Sequence, residues 1–368
     1  MSPTLVILLV GSVVAASCAL VGSFLVLRKL ALLGDAISHA VLPGIVLAFL
    51  VSGSRSSLPM VLGAGALGVV TVFLVQLFHR TRRLKEDASI GVVFPALFSL
   101  GVILISRYAS QVDLDLDCVL YGEIAYAPWD VLYWGAASIG PKALWVNGAV
   151  LLGNLLFVGL LYKELKLTTF DAGLAAALGF APAAMHYLLM SAVSVTVVGA
   201  FESVGAILVV AMLVVPPATA YLLTDRLSRM LALAVGVGVA SAWGGYGLAR
   251  WLDASIAGSM ASVAGALFLL TFLASPRHGL AAQALRHRRL RLATSEQLLL
   301  LHLKEEGEGV AGADLARRFA WGGRRLGQVV ARLSDRGWVA AGGGGLALTP
   351  AGAAALEASG QAALRHRP

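Results

Sequence analysis

Nine apolar stretches of membrane-spanning length run through about three quarters of the chain. A helix needs about 20 mainly apolar residues to cross the hydrocarbon core of a bilayer. The stretches lie at 5–27, 34–51, 58–78, 89–106, 143–162, 184–200, 202–223, 230–251 and 256–274. Region 184–223 forms two spans only if the chain turns tightly near Gly199, so we expect eight or nine transmembrane helices. The predicted fold class is an all-α polytopic membrane protein with a small C-terminal domain.

The composition excludes an ordinary soluble enzyme. Of the 368 residues, 58% are hydrophobic and 13% are charged, whereas about 25% are charged in soluble domains. The phosphate-binding motif GxxxxGK[ST] occurs nowhere in the sequence, and neither does the zinc motif HExxH. We therefore expect no catalytic residues, no permanently bound cofactor and no ATP hydrolysis by this chain.

Lysine and arginine concentrate in alternate loops. The basic loops contain RK at 28–29, HRTRRLKED at 79–87, YKELK at 162–166, TDRLSR at 224–229 and SPRH at 275–278. Loop 107–140 is acidic, with Asp113, Asp115, Asp117, Glu123 and Asp130. Because cytoplasmic loops of membrane proteins are enriched in lysine and arginine, we assign the basic loops to the cytoplasm and the acidic loop to the outside.

The character of the chain changes after the last apolar stretch. Residues 1–278 are predicted to form the transmembrane domain, and 279–293 a basic linker close to anionic lipid headgroups. Residues 294–368 read as helix, helix–turn–helix, a strand pair around a glycine turn, and a final helix. This order is typical of a winged-helix domain, which we expect on the cytoplasmic side.

Asp35 and His39 lie inside the apolar stretch 34–51 and share one face of a helix, because they are four residues apart. Ionisable residues within a span usually face a bundle interior, a partner or a water-filled path. A carboxylate with an imidazole suits a first-row divalent metal ion, and two copies of this helix around a two-fold axis would supply four ligands. The alternative is that Asp35 is an acid in the first helical turn, favoured there by the helix dipole.

Glu202 is a second acid at membrane depth and a secondary candidate for a metal ligand. If region 184–223 is a hairpin, Glu202 lies at its outer turn in contact with water. If that region is one bent element, Glu202 faces a pore or pairs with a cation. The sequence leaves both interpretations open.

A cytoplasmic connection at 166–186 has helical apolar spacing. A short helix outside the membrane between two spans is what a permease needs to dock onto a motor subunit. An ordinary amphipathic connector fits the same pattern equally well.

Several motifs together resemble the metal-type ABC permeases, the family that imports manganese, zinc or iron. The resemblance is carried by LRKLALLGDAISHAVLPGIVLAFL at 27–50, EDASIGVVFPALFSLGVILIS at 86–106, FDAGLAAALGF at 170–180, VGAILVVAMLVVPPATAYLLTDRLSRM at 204–230 and SPRHGL at 275–280. It covers about residues 1–280.

This resemblance implies a dimeric permease of the type II ABC importer kind in the bacterial plasma (inner) membrane. It implies three partners: a cytoplasmic ATPase, an extracytoplasmic metal-binding lipoprotein, and a second permease copy or paralogue. Asp35 and His39 are then the pore ligands. The implied ATPase-coupling residues are Phe170, Asp171, Ala175, Leu178 and Gly179.

The C-terminal extension departs from the family pattern and resembles the winged-helix part of metal-dependent or MarR-like regulators, with LTPAGAAALE at 348–357 as its closest piece. Arg324, Arg325 and Arg332 fall on the helix that would read DNA. Residues 294–368 contain nine Lys and Arg against seven Asp and Glu, a net charge of only +2. Because DNA binding usually requires a strongly basic patch, a regulatory or interaction role is favoured over DNA binding.

The function expected from these observations is import of a divalent transition metal, with Mn²⁺ favoured and Zn²⁺ or Fe²⁺ as other cargoes. One alternative is the permease of an iron-chelate or siderophore importer. A second, from another class, is a metal-responsive regulator that uses its spans as a membrane anchor.

Overall fold

The computed structural model describes the chain except for residues 1, 41, 53–56, 81–83, 109–123, 135–136, 276–278, 307–309, 343–344 and 357–368. The chain divides into two compact units, Met1–Gly279 and Leu280–Pro368. Four acids of the predicted outer loop, Asp113, Asp115, Asp117 and Glu123, lie outside the described residues. Residues 276–278 of the SPRHGL motif and the last residue of LTPAGAAALE do so too.

The first unit is mainly helical. Its helices are α1 (Pro3–Leu27), α2 (Ala31–Ala40), α3 (Leu42–Ser52), α4 (Ser57–Arg80), α5 (Glu86–Tyr108), α6 (Lys142–Leu160), α7 (Tyr162–Phe170), α8 (Ala172–Ala177), α9 (Pro182–Val204), α10 (Ala206–Leu223), α11 (Leu227–Leu252) and α12 (Ile256–Ala274). Within the described part of the chain, eight of these are long and apolar enough to cross a membrane: α1, α4, α5, α6, α9, α10, α11 and α12. The expectation of eight or nine spans agrees with this result.

The structure describes the predicted span 34–51 as two helical pieces, α2 and α3, on either side of residue 41, which lies outside the described residues. That 34–51 crosses the membrane as one span therefore stays a prediction.

The turn inside region 184–223 is at Gly205 and not near Gly199, which corrects the sequence interpretation. Gly205 separates α9 from α10 with φ +76°, in the left-handed region that favours glycine. Gly199 lies inside α9, where a Cβ would come within 3.1 Å of Val150. The sequence showed two glycines six residues apart, and only packing distinguishes a contact glycine from a turn glycine.

Helix α1 lies at the centre of the first unit, in contact with α6, α9, α10 and α11. Its residues from Val14 to Leu25 are all buried. Gly22 brings α1 against the backbone of α10, because a Cβ at this position would lie only 1.9 Å from the Leu213 carbonyl oxygen. Small residues at such contacts let helix backbones approach closely in a membrane.

Two buried asparagines attach α6 to its neighbours. Asn154 donates to Ser17 Oγ of α1 at 2.8 Å and to Thr196 Oγ1 of α9 at 2.7 Å. Asn147 donates to Ser203 Oγ of α9 at 2.9 Å. These bonds satisfy polar groups that would be costly to leave unpaired away from water.

A short antiparallel strand pair was not foreseen. It joins β1 (Val131–Trp134) to β2 (Ala137–Pro141), after a single 3₁₀ turn at Ile124–Tyr126 and directly before α6. The sequence VLYWGAASIGP offered the signal, a β-prone run interrupted by glycine.

The second unit begins with α13 (Leu280–Glu306), followed by α14 (Gly312–Arg318), α15 (Gly323–Asp335), β3 (Val339–Gly342) and β4 (Gly345–Leu348). A final helical segment, α16, covers 350–356. The segment interpreted as a linker, 279–293, is thus helical from Leu280 onward. Val310 also bridges Leu346 of β4. The core of the unit consists of Leu299, Leu300, Leu303, Leu315, Trp321, Val329, Leu333, Val339, Leu346 and Leu356.

Replacing Gly22 with alanine should destabilise the first unit, because the new methyl group would overlap the Leu213 carbonyl. Overpacking of this kind costs about 1–3 kcal/mol. We expect a lower melting temperature of the detergent-solubilised protein, measured by fluorescence-detected size exclusion after heating. The matched control is Gly153→Ala on α6, where a Cβ meets nothing within 4 Å. Equal melting temperatures for the two variants would contradict the role assigned to Gly22.

Candidate metal centre and its surroundings

Helix α2 carries Asp35 and His39 on a partly exposed face. The opposite face is buried through Leu33 and Ile37, which are 1% and 0% exposed. Asp35 is the fifth residue of a helix that begins at Ala31, so it lies beyond the first turn. The alternative interpretation of Asp35 as a first-turn acid therefore does not describe this helix.

The two side chains are paired and partly open. Nε2 of His39 lies 3.6 Å from Oδ1 of Asp35, and the exposed fractions of their side chains are 31% and 48%. The imidazole packs against Phe94 and Phe98 of α5, with ring centroids 5.3 Å and 6.3 Å away. These rings restrict the orientation of the imidazole. No local pattern could reveal the two phenylalanines, since they belong to a different helix.

Carboxylate oxygen and imidazole nitrogen together form a donor pair for a first-row divalent ion. Two donors are too few for a closed site, which usually has four or more. Among the residues described, no group of three or more His, Cys, Asp or Glu side chains could hold a metal ion. In the described part of one chain, the pair therefore supplies only two of the ligands that a metal site needs.

Glu202 lies in the last turn of α9, where Lys142 Nζ donates to its Oε1 at 2.6 Å. The same ammonium group lies 3.9 Å from Oδ2 of Asp130. The three residues line a cavity of about 90 Å³ together with Tyr126 and Ser203. Glu202 therefore pairs with a lysine beside the Gly205 turn. Lys142 comes 60 residues earlier in the sequence, so no local pattern could reveal this pair.

The predicted coupling segment consists of the end of α7, the short helix α8 and the turn after it. Asp171 caps α8 by accepting a hydrogen bond from the backbone N–H of Leu174 at 2.9 Å. Gly179 ends the segment with φ +87°, a conformation that favours glycine. Ala175 is fully buried, whereas Phe170 and Leu178 are 62% and 60% exposed. Of the five predicted coupling residues, Asp171 and Gly179 therefore shape the backbone and Ala175 is buried. Phe170 and Leu178 expose apolar side chains.

Two of the three arginines proposed for DNA contact are engaged within the second unit. Arg325 donates to Ser295 Oγ at 2.8 Å, and its guanidinium lies over the Trp321 ring. Arg332 lies 3.7 Å from the carboxylate of Glu296, whose side chain is only 9% exposed. The third, Arg324, is exposed. Spacing along a helix could not distinguish arginines that face a partner from arginines that hold the unit together.

Comparison of the sequence with known proteins shows the family of the chain. The model of the ABC 3 transport family matches residues 3–275. The chain is 49% identical over 280 residues to the manganese transport system membrane protein MntD of Bacillus subtilis, covering 76% of this chain and 95% of that protein. It is 45% identical over 361 residues to the zinc transport system membrane protein TroD of Treponema pallidum, covering 96% of this chain and 98% of that protein.

Solved structures agree with the sequence comparisons. The chain superposes on PsaBC from Streptococcus pneumoniae, solved in complex with Fab, with a TM-score of 0.63 and 30% identity, covering 76% of this chain and 94% of that chain. A metal-chelate type ABC transporter in an inward-facing conformation gives a TM-score of 0.53 at 20% identity, covering 73% and 84%, and supports the fold alone. The family match spans well over half of the sequence, and the chain therefore belongs to the ABC 3 transport family.

Proposed function

We propose that this protein is the membrane-spanning subunit of an ATP-driven importer of divalent transition-metal ions. The observation that carries the proposal is the Asp35–His39 pair, whose two side chains lie 3.6 Å apart on a partly exposed face of α2. A second copy of α2 across a two-fold axis would bring the donors to four. Relatives are named for manganese, zinc and chelated iron. Mn²⁺ is the favoured cargo, with Zn²⁺ or Fe²⁺ as the other members of the same class.

Asp35→Asn and His39→Gln should each lower metal uptake by at least about 10-fold, because each removes one donor from a set that is already small. The measurement is accumulation of radiolabelled Mn²⁺ by cells that express the complete transporter. Asp87→Asn and His79→Gln are matched controls, because each removes the same functional group from an exposed position on another helix.

Normal accumulation in both variants, at wild-type levels of protein in the membrane, would contradict the assignment of the two donors. Competition separates free metal from a chelate as cargo. Excess unlabelled Mn²⁺ should compete with uptake, and an excess of an intact iron chelate should not. The reverse result favours a chelate importer. Uptake that proceeds without this protein would favour the membrane-anchored regulator instead.

The partners follow from what the chain contains and what it lacks. Since the sequence has no P-loop, ATP hydrolysis belongs to a separate subunit that docks on the cytoplasmic side of the plasma membrane. The exposed apolar side chains of Phe170 and Leu178 form the contact with this ATPase. The face with Asp130, Lys142 and Glu202 lies on the extracytoplasmic side, where a metal-binding lipoprotein delivers the ion.

Phe170→Ala and Leu178→Ala should each weaken binding of the ATPase by about 10-fold. Burial of such a side chain in an interface contributes about 1.5–3 kcal/mol. Co-purification of the ATPase with the permease in detergent measures the effect. Leu223→Ala, which removes a partly exposed leucine at the end of α10, is the control. Retention of the ATPase by the Phe170→Ala, Leu178→Ala double variant would contradict this docking surface.

For the second unit we propose a cytoplasmic winged-helix domain with a regulatory or interaction role. Three helices, a strand pair joined by a bridge from Val310, and a final helix support this fold. Arg325 bonds Ser295, and Arg332 and Arg336 both pair with Glu296. Arg325 and Arg332 are therefore poorly placed to contact DNA bases. An interaction role is thus favoured over DNA binding.

Glu296→Gln should loosen the second unit in the full-length protein. The substitution removes the buried negative charge that holds Arg332 and Arg336, at a cost of about 1–2 kcal/mol, since both arginines are half exposed and can be solvated. Limited proteolysis should cleave this variant faster between 280 and 356. Glu305→Gln, an exposed acid on the same helix, should leave the cleavage rate unchanged. Sequence-specific retention of DNA by the wild-type protein would contradict the interaction role.

A further inference from the structure

The link between α1 and α2 is only three residues long and has a fixed geometry. Lys29 adopts φ +62°, in the left-handed region that few residues other than glycine adopt. Its N–H donates to the Val26 carbonyl at 3.1 Å, and the N–H of Leu30 donates to the Leu25 carbonyl at 2.9 Å. These two bonds form a Schellman motif, which ends α1 and sets the direction in which α2 begins. Leu25 and Leu30 are both buried, so the motif is also held by packing.

Arg28, inside this link, reaches the helix that carries the coupling segment. Its Nε donates to Thr169 Oγ1 at 3.1 Å, and its Nη2 donates to Thr168 Oγ1 at 3.0 Å. The two threonines form the end of α7, directly before Phe170 and the cap residue Asp171. One guanidinium group therefore bridges two neighbouring hydroxyl groups, a geometry that a planar fork of donors satisfies and a single ammonium group does not.

The acceptors of Arg28 are themselves fixed. Thr168 is 7% exposed, and its hydroxyl proton goes to the carbonyl of Glu164 at 2.8 Å. The lone pairs of the Thr168 oxygen are then oriented toward the guanidinium. A displacement of α7 must consequently move Arg28 or break both of its hydrogen bonds.

We infer that Arg28 is a positioning residue that transmits movement between the ATPase-coupling segment and the helix that carries Asp35 and His39. This inference rests on the proposed function. Arg28 lies three residues before the start of α2 and seven before Asp35, and the fixed Schellman link passes its displacement along the backbone. On the other side, one residue, Phe170, separates Thr169 from Asp171, the cap of α8. The hydrogen bonds thus join the two segments that must move together when ATP hydrolysis changes the access to the ion.

The test uses the complete transporter, with its ATPase, reconstituted in liposomes. The variants are Arg28→Gln, which loses both hydrogen bonds, Arg28→Lys, which keeps the charge, and Thr168→Val with Thr169→Val, which keeps the shape and removes both acceptors. The matched control is Lys163→Gln, which removes an exposed cation from the same helix α7. Four quantities are measured for each: ATP hydrolysis, Mn²⁺ uptake, affinity for Mn²⁺ without nucleotide, and melting temperature.

Arg28→Gln and the double threonine variant should lower the amount of Mn²⁺ transported per ATP hydrolysed by about 3- to 30-fold, the usual range for a coupling contact. Affinity for Mn²⁺ and melting temperature should stay at the wild-type values. Arg28→Lys should give an intermediate ratio, because one of the two bonds can re-form. The Lys163→Gln control should keep the wild-type ratio.

If the variants transport Mn²⁺ with the wild-type ratio of Mn²⁺ to ATP, the inference is wrong and the proposed function still stands. The inference is also wrong if the melting temperature falls and both uptake and ATP hydrolysis fall in parallel, because that result indicates that Arg28 only stabilises the fold. The double threonine variant decides the matter if Arg28→Gln does not fold. Absence of ATP-dependent Mn²⁺ uptake by the wild-type complex would overturn the proposed function and the inference together.

Discussion

The position of the first unit's helices depends on the close approach of other helices to α1. A membrane provides little hydrophobic driving force between helices, because lipid tails are as apolar as leucine, so association depends on van der Waals contact and hydrogen bonds. Gly22 supplies the contact, with the backbone of α10 where a side chain would be. Asn154 supplies the hydrogen bonds, to α1 and α9 at once. Both contacts involve the second half of the central helix α1, at Gly22 and Ser17.

The packing of helix α2 against its neighbours lowers the free-energy cost of its two ionisable side chains, Asp35 and His39. The buried face with Leu33 and Ile37 fixes the rotation of the helix, so that the face with Asp35 and His39 remains open. The imidazole of His39 also packs against Phe94 and Phe98 of α5, so protein encloses part of the pair. This agrees with the rule that ionisable side chains in membrane helices face a bundle interior, a partner or a water-filled path.

The sequence predicted the helices of the first unit well, because spanning length and the charges of loops are properties of neighbouring residues. It predicted Asp35 and His39 as one face for the same reason. It placed the turn of 184–223 at the wrong glycine, since Gly199 and Gly205 differ only in what packs against them. The partners of Glu202 and Arg28 come from 60 and about 140 residues away, and no local pattern encodes them. The helical pattern of α15 does not reveal that Arg332 pairs with a buried acid, Glu296, and that Arg325 bonds Ser295, both on α13.

Helix α6 has a consequence for how the protein is assembled during synthesis. It is apolar enough to insert alone, and only 22% of its most apolar part is buried against the rest of the unit. Asn147 and Asn154 hold it by hydrogen bonds, which inside a membrane contribute about 0.6 kcal/mol each, and Ala143 and Val158 add apolar contacts. Such a span can enter the bilayer from the translocon as an independent helix and dock onto α1 and α9 afterwards. The order of assembly is then set by when α9, synthesised later, provides Thr196 and Ser203 as acceptors.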